Sequence, residues 1–255
     1  MKLILPLAFL FLLAPALSSA HDKDTLIRGV NVSFSYVKTI FPSDWQPAPI
    51  SAKADPILQG EVNRSKSITA KALTKYPASM LAKNLRAVYW LKNMSFYDVG
   101  YGGTNSTDAL YLTNNGIALG YTDSYLEQTF HHEFSSILYR NYPYLFDTSA
   151  WKMANLNFDY NDPEDGVGAI RNNASSQDLD TLLCKRGMLT QYAMSSMEND
   201  VNTVAQNLFC PSEGFWKIVD QFPRIRKKVT LLISFYGKID ITFTEQYFRK
   251  MEAKY

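Results

Sequence analysis

Between Tyr125 and Leu138 the apolar residues Leu126, Phe130, Phe134 and Ile137 or Leu138 recur every three or four positions, the spacing of one helix face. Asp123 or Ser124 supplies an N-cap and Pro143 a stop, so a helix is predicted from there to about Asn141. Upstream, Gly29 to Val37 alternates like a strand, and Pro42, Pro47, Pro49 and Pro56 mark a connection. Ile57 to Lys75 has helical spacing and ends before Tyr76-Pro77, because the residue preceding proline resists the helical conformation. Ala78 to Asn84 suits a short helix and Arg86 to Leu91 a buried strand. Leu110-Tyr111-Leu112 and Ile117-Ala118-Leu119 flank Asn115-Gly116, which predicts a hairpin.

Further along, Trp151 to Gly168 is rich in Asn, Asp and Gly and is expected to be an irregular connection. Leu179 to Ala193 is expected to be helical with Gly187 as an interruption, and a second helix is expected from Ser195 to about Phe209. Val229 to Phe235 suits either a strand or a buried helix, since periodicity does not separate them in so short a run. Thr244 caps a final helix carrying Tyr247, Phe248 and Met251. Together these elements predict an α+β chain: a small, mainly antiparallel sheet packed on the helix that ends at Asn141, and a largely helical C-terminal half.

Lys2, the apolar run Leu3 to Leu17 and the small residues Ser18-Ser19-Ala20 have the form of an export signal over residues 1–20, leaving a single domain over 21–255. Pro6 and Pro15 interrupt that run, and it is shorter than the roughly 20 apolar residues a bilayer span requires. The expectation is a secreted or periplasmic protein with no stable membrane anchor after cleavage. In such a compartment the pair Cys184 and Cys210 is expected to form a disulfide, worth on the order of 3 kcal/mol in the loop-entropy model. The formal net charge of +2 argues against nucleic acid as a partner, and the basic run Arg224-Ile225-Arg226-Lys227-Lys228 is read as a solvated face. Asn-x-Ser/Thr sequons at Asn31, Asn63, Asn93, Asn105 and Asn173 matter only in a glycosylating host.

The chemistry concentrates in His131-His132-Glu133-Phe134-Ser135-Ser136. In H-E-x-x-H two histidines one helical turn apart bind Zn²⁺ and the glutamate activates the metal-bound water. Here His132 and Glu133 fit, while the second histidine position is Ser136. His131 does not replace it, because adjacent helical residues point about 100° apart. The glycines 100, 102 and 103 with Thr104, Asn105 and Ser106 mark a loop close to whatever the site holds.

From Tyr76 to Phe209 the chain resembles the gluzincins, zinc metallopeptidases of the lethal-factor and related secreted types, in its order of hairpin, H-E helix, linker and acidic helix start. The resemblance implies peptide-bond hydrolysis, a zinc cofactor held by His132 and Glu198, Glu133 as general base, and an extended peptide or protein substrate beside the 110–119 hairpin. His131 and Asp200 are possible additional ligands. Ser136 departs from the pattern and marks a degenerate metal site. Against a ligand role for Glu198 stands Ser195-x-x-Glu198, which is also the spacing of a capping box.

Two other functions fit the sequence. A non-catalytic secreted binding protein would keep the groove and use the aromatic, Gly- and Asn-bearing segment Tyr89 to Tyr101 for recognition. More remotely, cleavage after Ala20 would leave His21 as the first residue, able to chelate copper with His131 or His132. No G-x-S-x-G elbow is present, so a serine hydrolase has no support.

Overall fold

The computed structural model describes residues 24–160 and 165–252; the signal-like segment and His21 lie outside them. The strands are β1 (Thr25–Ile27), β2 (Val30–Ser33), β3 (Lys53–Pro56), β4 (Ala87–Phe96), β5 (Val99–Gly100), β6 (Gly103–Asn105) and β7 (Ala109–Thr113). The helices are α1 (Val62–Leu73), α2 (Ala78–Asn84), α3 (Asp123–Asn141), α4 (Thr148–Met153), α5 (Asp165–Arg171), α6 (Thr181–Arg186), α7 (Met197–Phe209), α8 (Phe215–Gln221), α9 (Pro223–Ile239) and α10 (Glu245–Glu252). The strand order is β1-β2-β4-β7-β6, with β3 and β5 also pairing with β4. The class is α+β, as expected, and the sheet is mixed. Its central strands β2, β4 and β7 are parallel, and the remaining pairings are antiparallel.

Strand alternation divides the core in two. Val88, Trp90, Leu110 and Leu112 face the helices and meet Phe130 and Phe134 of α3 in one apolar cluster. On the opposite face Ala87, Leu91, Ala109 and Tyr111 are covered by Phe41 and Trp45 from the proline-marked segment. The predicted stripe of α3 is fully buried, and α3 packs against both the sheet and α7. No helix of the described residues is long and apolar enough to cross a membrane.

Several expectations require correction. The 110–119 hairpin is absent: Leu110 to Leu112 belong to β7, paired parallel to β4, whereas Ile117–Leu119 is an exposed 3₁₀ turn. The short antiparallel partner of β7 is β6, on its N-terminal side. The disulfide is also absent. Cys184 sits in α6, and Cys210 closes α7 against Ser124, so the two thiols are buried and unbonded in different surroundings. The expected helix from Leu179 to Ala193 stops at Gly187, whose φ of 97° suits glycine and not a side chain. Thr122, rather than Asp123 or Ser124, caps α3 through the Tyr125 amide. The segment 229–235 is helical because Pro223, well suited to a first helical turn, starts α9 upstream of it.

Two buried polar clusters hold the helices. Glu127 of α3 is paired with Lys75 (2.5 Å) and Lys71 (2.9 Å), next to His131, whose Nδ1 is hydrogen-bonded with the Tyr76 hydroxyl at 2.8 Å. On α7, Asp200 accepts from Lys228 Nζ (2.5 Å), Trp151 Nε1 (2.8 Å) and the Tyr160 hydroxyl, while Lys228 also donates to the Gly187 carbonyl at 2.6 Å. Asp200, a possible metal ligand from sequence, is therefore committed to an internal ion pair.

Each cluster gives a prediction. Asp200→Ala leaves the buried Lys228 charge without its carboxylate, and the loss expected in urea unfolding is about 3–5 kcal/mol. Asp200→Ala combined with Lys228→Met removes both charges and is expected to recover most of that stability; a double variant no more stable than the single one would contradict this account. The second prediction concerns pH. Burial lowers the His131 pKa from 6.5 to about 4, against the opposing pull of Glu127. The folded protein thus keeps this ring neutral where an unfolded chain would protonate it. The resulting stability is complete above pH 6.5, is lost as pH falls towards 4, and amounts to about 3 kcal/mol. Burial alone would raise the Glu127 pKa, but His131 and Lys75 hold it well below the usual range, so its contribution is lost below about pH 4.5. Unfolding free energies measured at pH 7 and 4.5 should fall steeply in the native protein and much less in His131→Gln.

Candidate functional site

A cleft opens where the edge strand β6 crosses α3. The approach needs glycine: a Cβ on Gly103 would lie 2.5 Å from Thr129 Cγ2 and 2.8 Å from Glu133 Oε1, and one on Gly102 would lie 2.1 Å from the Tyr125 hydroxyl. The cleft has two lobes, of about 560 and 220 Å³, which share Tyr101, Gly103, His132, Glu133 and Tyr192. The larger is lined also by Trp45, Asn105, Ser136, Arg140 and Glu198, the smaller by Tyr125, Thr129 and Gln177. His132, Glu133 and Glu198 therefore share one cleft. Its rim is formed by β6 rather than by the expected hairpin.

His132, Ser136 and Arg140 stand one turn apart on α3, and each meets a side chain of α7. His132 Nδ1 lies 2.8 Å from Gln206 Oε1, Ser136 Oγ accepts from Asn202 Nδ2 at 2.6 Å, and Arg140 Nη1 donates to Glu198 Oε1 at 2.8 Å. The α7 partners are themselves four residues apart and run in the opposite order, giving a three-rung polar ladder between antiparallel helices. Gln206 Nε2 donates onward to Gln177 Oε1 at 2.9 Å. That bond leaves Gln206 Oε1 to accept the Nδ1 proton of His132, so in the neutral imidazole Nε2 carries the lone pair.

Arg140 extends the ladder to the rim. Its Nη2 donates to Asn105 Oδ1 and to the Ser106 carbonyl, and Asn105 Nδ2 donates to Glu133 Oε2 at 2.5 Å. Glu133 is thus linked through Asn105 and Arg140 to Glu198. Burial raises the Glu133 pKa, His132 and the Asn105 bond oppose the rise, Glu198 adds to it, and Arg140 opposes it. Glu198 is not the return partner of a capping box. Ser196 is the N-cap of α7, accepting from the Asn199 amide at 3.1 Å, while Ser195 Oγ bonds the Tyr192 carbonyl.

The donor set does not fit catalytic zinc, which takes three protein ligands from His, Cys, Asp or Glu. Of the cleft residues His132 Nε2 and Glu133 Oε1 offer lone pairs, two donors on adjacent helical positions that point about 100° apart. The Ser136 hydroxyl is a poor ligand already bonded to Asn202, and Glu198 is held by a guanidinium whose positive charge opposes a second cation. His131 and Asp200 belong to the buried clusters and do not line the cleft. Among the described residues no group of three or more His, Cys, Asp or Glu is placed to hold a metal ion.

Asn105 lies in the loop that the sequence places close to the site, whereas Arg140, Asn202 and Gln206 were not anticipated. Arg140 had a usable signal, its position eight residues after His132 on the same helical face. The α7 partners become visible only once the two helices are paired.

No family model matches the chain, and no curated protein matches it significantly. Among solved structures, it is similar to a crystal structure of "a putative zinc-binding metallo-peptidase" from Bacteroides caccae, with a TM-score of 0.56 and 15% identity. The match covers 89% of this chain and 85% of that one. At this identity the likeness concerns the fold alone: the chain shares the overall fold of that protein.

Proposed function

We propose that this protein is a metal-independent peptide-binding protein on a metallopeptidase-like scaffold, acting outside the cytoplasm. The observation that carries the proposal is the ladder itself. Ser136 and Glu198 are bonded by α7 and α3 partners, so the cleft is ordered by internal hydrogen bonds and one ion pair where a peptidase would use a cation. Export rests on the signal-like run Leu3 to Leu17.

The groove retains the geometry for an extended chain. Ser106 N bonds Ala109 O and Thr113 N bonds Gly102 O, so the even-numbered residues of this segment pair with β7. Antiparallel alternation then turns the backbone N–H and C=O of Gly103 and Asn105 away from β7, along the open edge. An added peptide strand gains main-chain hydrogen bonds there, and the side-chain lobes on either side of His132 and Glu133 select among sequences. Asn105 is committed to Glu133 and Arg140, so a glycan at that sequon would be incompatible with the closed network.

The test is binding of short linear peptides selected from a random library, followed by fluorescence anisotropy. Asn105→Pro removes an N–H that the sheet does not use, and edge strands tolerate proline. It is expected to weaken binding at least about tenfold, one lost main-chain bond and its desolvation, whereas Asn105→Ala, which keeps the N–H, weakens it less. Failure to select any binder, or equal binding by Asn105→Pro and the native protein, would overturn the proposal. Cleavage of the peptides by the native protein but not by Glu133→Gln would replace it with the peptidase reading.

A further inference from the structure

The basic run Arg224 to Lys228, read from sequence as a solvated face, is divided by the fold into two groups. Arg226 pairs with Asp220 and Glu245, and Lys228 is buried on Asp200. Arg224 and Lys227 have no carboxylate partner among the described residues. They lie one turn apart on α9 and meet Lys185 of α6 around a shallow groove of about 540 Å³. The groove is lined by Met153, Ala154, Cys184, Phe222 and Pro223 besides these cations, with no carboxylate.

Arg224 and Lys227 at the start of α9 oppose the helix macrodipole, so helix stability does not explain their position, whereas Lys185 lies in the last turn of α6, where the dipole favours a cation. Arg224 is steadied by one bond, from Nη1 to the Ala154 carbonyl at 3.1 Å, which fixes it beside the apolar floor. Met153, which lines the groove, is 74% exposed, and Leu156, three residues on, is 41% exposed, apolar surface that a monomer gains nothing by exposing. Leu156 N bonds the Arg186 carbonyl, which joins the end of α4 to the end of α6. Leu182, 68% exposed, lies one turn before Lys185. Lys152 adds a further exposed cation next to Met153. Leu182 lines a neighbouring groove together with Asp178 and Asp180, and Asp180 is engaged in capping α6.

We propose that this face, comprising Met153, Leu182, Lys185, Arg224 and Lys227, docks the protein reversibly on an anionic lipid bilayer. Charge complementarity selects the partner: the cations meet lipid phosphates while Met153 and Leu182 enter the interfacial region. The surface is separate from the peptide cleft and does not depend on its function. Basic residues near an anionic surface contribute about fivefold each to partitioning, and the contribution is screened by salt.

The experiment is co-sedimentation of the full chain, lacking only its signal-like segment, with vesicles of phosphatidylglycerol and phosphatidylcholine or of phosphatidylcholine alone. The native protein is expected to sediment with the anionic vesicles and to be released by raised salt. Lys185→Glu with Lys227→Glu should lower the partition coefficient by more than about tenfold, and Met153→Ser with Leu182→Ser should lower it at unchanged net charge. Circular dichroism establishes that these surface variants remain folded. Equal sedimentation with both vesicle types, no sedimentation with either, or undiminished binding by the charge-reversed variant would overturn the proposal. So would retention by soluble poly-glutamate that is as strong as retention by the anionic vesicles.

Discussion

Burial of α3 between the sheet and α7 constrains everything else in this fold. From Phe130 to Leu138 every residue of that helix is buried, including His131, His132, Glu133, Ser135 and Ser136. Polar groups withdrawn from water must be matched inside the protein, and the cost of leaving one unmatched is about 1–3 kcal/mol. One polar line of α3, Glu127 and His131, is matched by Lys75 and Tyr76. The other, His132, Ser136 and Arg140, is matched rung by rung by Gln206, Asn202 and Glu198.

The second line decides what the cleft can do. In the H-E-x-x-H pattern a shared cation ties the ligand-bearing residues together, whereas here a ladder of side chains connects the two facing helices. Ser136 and Asn202 form a neutral rung, short enough that the helices approach closely, and Arg140 supplies the positive charge that Glu198 requires. Because Arg140 also reaches Asn105, the same guanidinium sets the position of the edge strand relative to Glu133. Helix packing, the carboxylate beside His132 and the open edge of β6 are therefore parts of one network.

How much of this was legible in the sequence depended on how local the cause was. The stripe Leu126, Phe130, Phe134 is set by helical period alone, and the structure buries it completely. α2 has the bounds that Pro77 and the following pattern suggest. The hairpin at Asn115-Gly116 failed because Leu110 to Leu112 take their partner from β4, far back in the chain, and long-range pairing overrides a local turn signal. The disulfide failed because cysteine parity carries no geometry. Glu198 and Asp200 illustrate the same limit within one helix. They lie two positions and about 200° apart, so one faces the cleft and the other the Lys228 cluster, a division that only the orientation of α7 reveals.

The most direct test of the ladder is metal content, measured by elemental analysis after incubation with zinc and exhaustive dialysis. The native protein and Ser136→His should both hold well below one equivalent, since Glu198 remains bound to Arg140 in each. Ser136→His combined with Arg140→Ala supplies the second histidine and frees the carboxylate, and should approach one equivalent. Stoichiometric zinc in the native protein, lost in Glu198→Ala, would contradict the account by showing that the cleft binds a metal through the very residue assigned here to the ladder.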